Sequence, residues 1–289
     1  MPVRSQLKAF ALFSATILAL QPLDVVASEA ASAPPKEVVP GVFEIGFISD
    51  PRITECSGIV RGMADTNVFW VHNDGPRPRL FGIRRTGGLV AEFPVLDAPM
   101  RDWEDITSDG DGHLYLADIG NNNAERPQIA VHQINEPLVK DSGKPVPVIR
   151  TWRLRFPKEP FDGESIFIWK DHGYLISKVF DDARAGLYRF PLSAENPVTL
   201  EFITDLDITT PVTGAAISRH GTRLGVIGHS GAYVLRIGGD PMTAGSAKDE
   251  RIRFKEQRIE GCCFVEEGLL AVSENRGIYL FRGKGFRPK

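Results

Sequence analysis

The chain has 289 residues, of which 42% are hydrophobic and 25% charged, and its formal net charge is −3 at pH 7. This is an ordinary globular composition, and the weak negative charge argues against nucleic acid or an anionic membrane surface as the main partner. The 28 glycines and 21 prolines suit a fold with many tight turns.

The first 27 residues have the pattern of a secretory signal peptide. Arg4 and Lys8 precede an apolar run over residues 9–20, and Val25-Val26-Ala27 places small residues at a cleavage site. The run is too short for a spanning helix, so we predict no membrane span. The sequence therefore predicts an exported protein, periplasmic or secreted.

The remaining chain is predicted to contain a lead-in and one domain. Residues 28–40 are rich in Ala, Ser and Pro and are predicted to be flexible. Residues 41–289 are predicted to form a single domain. No sequence feature indicates an oligomeric state.

A short pattern recurs five times, in which apolar residues lead to a small residue and then a polar one. The copies are Trp70-Val71-His72-Asn73, Tyr115-Leu116-Ala117-Asp118, Leu175-Ile176-Ser177-Lys178, Val226-Ile227-Gly228-His229 and Ala271-Val272-Ser273-Glu274. The spacing of roughly 45 to 60 residues is typical of β-propeller blades.

Each copy is flanked by further short strands, which gives four strands per repeat. The fifth repeat runs out of chain after its third strand, and Val42–Phe47 at the other end supplies the missing outer strand. The sequence thus predicts an all-β, five-bladed β-propeller of antiparallel strands, closed by its N-terminal strand. A β-sandwich is the alternative.

One predicted hairpin resembles part of a calcium loop. Asp109-Gly110-Asp111-Gly112 has the acidic and glycine residues of such a loop but lacks the rest of the twelve-residue pattern. We therefore predict an ordinary hairpin turn.

Polar residues are predicted to converge on one face. The second strand of a blade ends beside the start of the first, because the two are antiparallel neighbours. Side chains two apart share a face of a strand, and six of the ten positions at the first-strand starts are carboxylates. These ten positions are Glu55 and Ser57, Asp102 and Glu104, Asp162 and Glu164, Thr213 and Ala215, and Glu260 and Cys262.

A dense ring of carboxylates repels itself unless positive charge compensates. One alternative is a divalent cation such as Ca²⁺, which takes about six to eight oxygen ligands. A second is pairing with lysines and arginines, and a third is a solvated ring. The metal-binding candidates are Glu55, Asn73, Glu104, Asp118 and Glu164. Ca²⁺ is the predicted cofactor in the first case, and there is none in the others.

The same face supplies candidates for binding a small molecule or carbohydrate. They are Asp74, Arg77, Asn121, Arg126, Lys178, Arg184, Glu274 and Arg276. Structural alternatives exist for them: Lys178 would pair with Glu164, and the arginines would be surface residues. Trp103 would either stack on a sugar or pack in the core.

No motif identifies an enzyme, since Gly-x-Ser-x-Gly, His-Glu-x-x-His and a phosphate-binding glycine loop are all absent. The favoured prediction is a protein that binds a small ligand, with a cation as the mediator where one is present. The alternative is a metal-assisted hydrolase of an ester, lactone, phosphoester or glycoside. Its catalytic candidates are Glu104, Glu164 and His229, with Asp118 as a further metal ligand. A non-catalytic protein-interaction scaffold is the third alternative.

Ring closure is predicted to bring three cysteines together. Cys56 lies in the first blade and Cys262-Cys263 in the fifth. By strand parity, Cys56 faces Cys262 and Cys263 points away. We predict Cys56–Cys262 as the pair if a disulfide forms in this exported protein.

Several motifs resemble a family of uncharacterised exported bacterial β-propeller proteins. They are Ser57-Gly58-Ile59, His72-Asn73-Asp74-Gly75, Asp102-Trp103-Glu104-Asp105-Ile106 and Ala117-Asp118-Ile119-Gly120-Asn121. A weaker resemblance links the chain to phytase-like esterase and calcium-dependent lactonase propellers. The resemblance implies the fold and export but no activity. Such proteins carry an acid in the first strands of the later blades, where this chain has Ala215 and Cys262, so a cation site is expected in the first three blades.

Overall fold

Short strands joined by tight turns make up almost all of the described chain. The computed structural model describes residues 1, 34–75, 77–255 and 258–288. The predicted signal peptide lies outside these ranges, apart from its first residue. Within the described ranges, no helix combines the length and apolar character needed to cross a membrane.

The described residues form 22 strands and two short 3₁₀ helices, at Val139–Asp141 and Pro241–Ser246. The first eleven strands are β1 (Lys36–Val39), β2 (Val42–Phe47), β3 (Cys56–Arg61), β4 (Val68–Asn73), β5 (Arg79–Arg84), β6 (Leu89–Leu96), β7 (Trp103–Ser108), β8 (His113–Asp118), β9 (Gln128–Asn135), β10 (Val146–Arg155) and β11 (Gly163–Trp169). The other eleven are β12 (His172–Ser177), β13 (Gly186–Pro191), β14 (Val198–Thr199), β15 (Glu201–Asp205), β16 (Val212–Ile217), β17 (Arg223–Gly228), β18 (Gly231–Arg236), β19 (Asp249–Arg253), β20 (Ile259–Val265), β21 (Gly268–Ser273) and β22 (Gly277–Phe281).

Antiparallel neighbours form five groups of four strands. The groups are β3-β4-β5-β6, β7-β8-β9-β10, β11-β12-β13-β15, β16-β17-β18-β19 and β20-β21-β22-β2. In the last group the N-terminal strand β2 pairs antiparallel with β22, from Val42 opposite Phe281 to Phe47 opposite Gly277. The strand predicted to close the fold therefore occupies the expected place.

The five groups are distributed over four hydrogen-bonded sheets. The first two groups share a sheet because β6 and β10 form a short parallel contact, with Val146 opposite Val95 and Pro147 opposite Leu96. A second addition is β1, which pairs with β2 at the outer edge of the last group. Lys36–Val39, within the predicted lead-in, form this strand; residues 28–33 of the lead-in lie outside the described part.

The first strand of each group contacts the first strand of the next. These contacts run from β3 to β7, β11, β16 and β20 and back to β3, and we call these five strands the inner ring. Five hydrophobic clusters fill the spaces between neighbouring groups, and one of them contains Trp70 of the first group and Trp103 of the second. A β-sandwich has one core between two sheets, so this packing is propeller-like. The all-β prediction is confirmed.

The hairpin between β7 and β8 is an ordinary turn. Asp109 Oδ1 accepts hydrogen bonds from the backbone N–H groups of Asp111 (2.8 Å) and His113 (3.2 Å). Its Oδ2 lies 2.6 Å from His113 Nδ1 and 3.1 Å from the Tyr115 hydroxyl. The Asp109 carboxylate thus stabilises its own turn.

Candidate functional site

In all five groups, the second strand ends beside the start of the first. A residue one or two positions after the second strand donates its backbone N–H to the carbonyl of the residue directly before the first strand. The five bonds run from Asp74 to Glu55 (2.8 Å), Gly120 to Asp102 (3.2 Å), Lys178 to Asp162 (2.8 Å), His229 to Pro211 (3.1 Å) and Glu274 to Arg258 (2.8 Å). The expected convergence of these strand ends is observed, and we call this end of the groups the acidic face.

Every strand of the inner ring has a register shift at the same place. Each shift leaves one residue outside the hydrogen-bonded ladder, as in a β-bulge. The five residues are Ser57, Glu104, Glu164, Thr213 and Glu260. All five side chains are buried or half-buried. Because the five residues occupy equivalent positions, the carboxylates of Glu104, Glu164 and Glu260 lie at the same height along the inner ring.

This register corrects two of the predicted pairs. Thr213, not Ala215, is equivalent to Glu104, and Glu260, not Cys262, is the equivalent residue of the last group. The second, third and fifth groups therefore each carry an acid at this position. Aligning the glycines that follow Ser57, Thr213 and Glu260 would have revealed this register from the sequence.

Asp74, Asp102 and Glu104 form a three-carboxylate cluster. One carboxylate oxygen from each lies within 4.8 Å of the others. Gly120 packs against the Asp102 and Glu104 carboxylates so closely that a Cβ there would overlap both. Among the described residues, no ion pair joins any of the three to a lysine or arginine.

Burial and mutual repulsion disfavour the charged state of this cluster. Burial, followed by the like charges of Asp102 and Glu55, raises the pKa of Asp74 to about 6. Burial, then the charges of Glu164 and Asp102, raises the pKa of Glu104 well above its ordinary value. Burial raises the pKa of Asp102 as well, against the lowering effect of the nearby Arg126 charge.

Glu164 and Glu260, the other two acids at the bulge positions, also have raised pKa values. Glu164 forms an ion pair with Lys178. Even so, burial raises the pKa of Glu164 to about 7, against the lowering effect of Lys178. Burial, then the charge of Glu164, raises the pKa of Glu260 to about 8. The ring therefore carries more carboxyl groups than its cations neutralise.

Two of the predicted metal ligands instead hold backbone. Asn73 Oδ1 accepts from the N–H groups of Thr54 (3.1 Å) and Glu55 (3.4 Å), and its Nδ2 donates to the carbonyl of Arg52 (2.8 Å). Asp118 Oδ1 accepts from the N–H of Asp102 at 3.0 Å. These side chains attach the end of the second strand to the segment that leads into the first.

Arg126 and Asn121 fix the loop after β8. Arg126 donates to Asp118 Oδ1 (3.0 Å) and to the carbonyls of Asp118 (3.1 Å) and Gly120 (2.6 Å). Asn121 Oδ1 accepts from the N–H of Arg126 (2.9 Å), and the Asn121 N–H donates to Asp162 Oδ1 (2.7 Å). Both are thus engaged within the protein.

The remaining ligand-binding candidates lie around the rim. Glu274 pairs with Arg258 at 3.0 Å and Arg184 with Asp207 at 3.4 Å. The Arg276 guanidinium lies 4.8 Å from the centre of the Phe47 ring. Arg77 and Glu55 are exposed.

The two aromatic candidates have different surroundings. Trp103 is fully buried, and its ring stands edge-on to that of His72 with centroids 5.6 Å apart. The core alternative therefore applies to Trp103. His229 is half-buried, and burial together with the nearby charge of Lys178 lowers its pKa.

Asp105 was not singled out from the sequence, yet it is fully buried within the inner ring. Its carboxyl group accepts hydrogen bonds from the backbone N–H groups of Ile106 (2.8 Å) and Ile166 (3.0 Å). Burial nevertheless raises its pKa well above the ordinary value. One side chain thus ties β7 to β11, and the run of acids from Asp102 to Asp105 was the sequence signal for it.

The three cysteines are free thiols and are all buried. Cys56 shares a hydrophobic cluster with Cys263, whereas Cys262 packs in the neighbouring cluster. The predicted pairing of Cys56 with Cys262 is therefore wrong. Cys56 precedes the bulge of its strand and Cys262 follows the bulge of its own strand, so one bulge separates their equivalent positions and reverses the parity on which that prediction relied.

No model of a known protein family matches the sequence, and no curated protein matches it. Among solved structures, a nidogen/laminin complex is 10% identical, with 75% of this chain and 72% of that chain covered and a TM-score of 0.45. Virginiamycin B lyase from Staphylococcus aureus is 15% identical, with 86% and 73% covered and a TM-score of 0.45. Hydrazine synthase from Kuenenia stuttgartiensis is 13% identical, with 76% and 56% covered and a TM-score of 0.43.

Proposed function

We propose that the protein is an exported, five-bladed β-propeller that binds a small ligand on its acidic face through a divalent cation. The blade count is supported by the five strand groups, the closed contacts of the inner ring and the five hydrophobic clusters between groups. Export rests on the signal-peptide pattern of the first 27 residues.

The observation that carries the cation site is the spacing of the three-carboxylate cluster. Oxygens that bind one Ca²⁺ lie about 2.3–2.6 Å from it, so two ligands on opposite sides are separated by roughly 4.8 Å. The oxygens of Asp74, Asp102 and Glu104 meet that limit. A cation would also offset the mutual repulsion of these carboxylates, which raises the pKa values of Asp74 and Glu104.

The donor set favours Ca²⁺ over softer metals. The cluster offers only carboxylate oxygens, which hard cations prefer, and it includes no histidine or cysteine. Three side chains leave part of the coordination shell of Ca²⁺ open. Hydroxyl or carboxylate oxygens of a small molecule or carbohydrate would complete it.

The test is a calcium titration of the protein after EDTA treatment, followed by thermal unfolding. Because Ca²⁺ binds only the folded state, saturation should raise the unfolding temperature by several degrees. The Asp102→Asn/Glu104→Gln variant should lose this increase. Asp111→Asn is the matched control, because Asp111 is an exposed acid in the hairpin at the opposite end of β7. An equal increase in both variants, or none in the wild type, would refute the cation site.

A metal-assisted hydrolase is the second candidate, favoured by the pKa values of about 7 and 8 for Glu164 and Glu260. Carboxyl groups that are partly protonated near neutral pH can act as general acids. A calcium-dependent hydrolysis of ester, lactone, phosphoester or glycoside substrates that Glu104→Gln abolishes would support it. Calcium binding without turnover of any of these classes would favour the binding protein.

A further inference from the structure

A cavity of about 310 Å³ lies at the acidic face of the fourth strand group. Thr210, His229, Ser230 and Lys255 line it, and none of its described lining residues is acidic. Thr210 precedes β16, His229 and Ser230 connect β17 to β18, and Lys255 follows β19. The sequence thus brings four hydrogen-bond donors to one place from three separate segments.

These donors are available to a ligand. Lys255 is exposed and takes part in none of the ion pairs found among the described residues. The Ser230 hydroxyl lies 2.7 Å from that of Tyr233, so it can accept from Tyr233 and direct its own hydrogen into the cavity. The backbone N–H of His229 is bound to Pro211, which holds this segment in place.

The charge around the cavity suits an anion. Lys255 contributes a positive charge directly, and no described lining residue opposes it with a negative one. No arginine is among the described lining residues, so the planar fork that binds carboxylates in two parallel bonds is missing. An ammonium group, an imidazole and two hydroxyls instead match the three terminal oxygens of a phosphoryl group.

We propose that this cavity binds the phosphoryl group of a small organic ligand. The inference goes beyond the proposed cation site, because the cavity and the three-carboxylate cluster have no residue in common. Each site can therefore be tested without the other.

The experiment is a ³¹P NMR titration of the protein with inorganic phosphate, in EDTA and at constant ionic strength. Saturable binding is expected, and Lys255→Ala should weaken it about tenfold, as the loss of one charge-assisted contact implies. Ser230→Ala should weaken it about threefold. Lys248→Ala is the matched control, since Lys248 is an exposed lysine at the opposite end of β19, and it should bind like the wild type.

Three results would overturn the proposal. One is non-saturable binding, a second is equal weakening by Lys255→Ala and Lys248→Ala, and a third is equally strong competition by acetate. The Asp102→Asn/Glu104→Gln variant should bind phosphate like the wild type in EDTA. A failed calcium titration would therefore leave this result unaffected, and the reverse also holds.

Discussion

Replacing Glu260 by glutamine should make the protein more stable at neutral pH than the wild type. Glu260 is the bulge residue of β20, and burial with the charge of Glu164 raises its pKa to about 8 from an ordinary value of 4.5. The folded state therefore binds this proton more tightly than the unfolded chain does. Stability from the protonated group is complete below about pH 4.5 and is lost as the pH rises through 8.

The size of the effect follows from the pKa difference. One pKa unit corresponds to about 1.4 kcal/mol, so Glu260 costs the wild type about 3 kcal/mol between pH 4.5 and pH 7. Glutamine keeps the shape of the protonated side chain and does not titrate. Glu260→Gln should therefore exceed the free energy of unfolding of the wild type by about 1 kcal/mol at pH 5 and by about 3 kcal/mol at pH 7.

The assay is urea-induced unfolding at pH 5, 6, 7 and 8 in EDTA, which keeps bound cations from masking the titration. Glu125→Gln is the control, because Glu125 is exposed in the loop between β8 and β9 and should leave the pH dependence unchanged. Parallel pH profiles for Glu260→Gln and the wild type would refute the reasoning, since they would mean that Glu260 does not titrate between pH 5 and pH 8 in the folded protein.

Three further predictions concern the same ring. Gly120→Ala places a Cβ against the Asp102 and Glu104 carboxylates, and these flexible side chains would have to move apart. The variant should therefore lose the calcium-induced increase in unfolding temperature while its far-UV circular dichroism stays that of the wild type. A retained increase would contradict the geometry of the three-carboxylate cluster. Asp105→Ala leaves the N–H groups of Ile106 and Ile166 without their acceptor and should lower the free energy of unfolding by at least about 2 kcal/mol in urea, whereas the exposed Asp111→Ala should not. All three thiols should react with a thiol reagent only after denaturation, and a gel shift on reduction would disprove the free cysteines.

The strand order was accessible from the sequence because each second strand carries the same apolar-to-polar pattern. The place of Val42–Phe47 beside β22 followed from a simple count of strands. The short β6–β10 contact and β1 were missed, since two parallel residue pairs and a four-residue edge strand leave little trace in a sequence.

The site was less accessible because it depends on one-residue shifts. Strands that pack between neighbouring groups are buried on both faces, and β17 is buried at every position. Such strands lack the alternation of polar and apolar residues that shows which face each side chain occupies. A bulge, which moves the following side chains to the other face, is therefore not visible in their sequence. This explains why Cys262 instead of Glu260 was aligned with Glu104, and why Cys56 was paired with Cys262.

The bulge position does not require an acid, because two of the five inner-ring strands have a hydroxyl residue there. Ser57 and Thr213 occupy the same position as Glu104, Glu164 and Glu260, and Thr213 simply donates to the carbonyl of Ile259 at 2.6 Å. A small hydroxyl therefore satisfies the fold there, whereas each carboxylate reduces stability as it ionises. Lys178 compensates part of that cost for Glu164, but no described cation pairs with Glu104 or its neighbours Asp74 and Asp102. The fold alone does not account for these acids, and the cation proposed for the three-carboxylate cluster would offset the repulsion among its side chains.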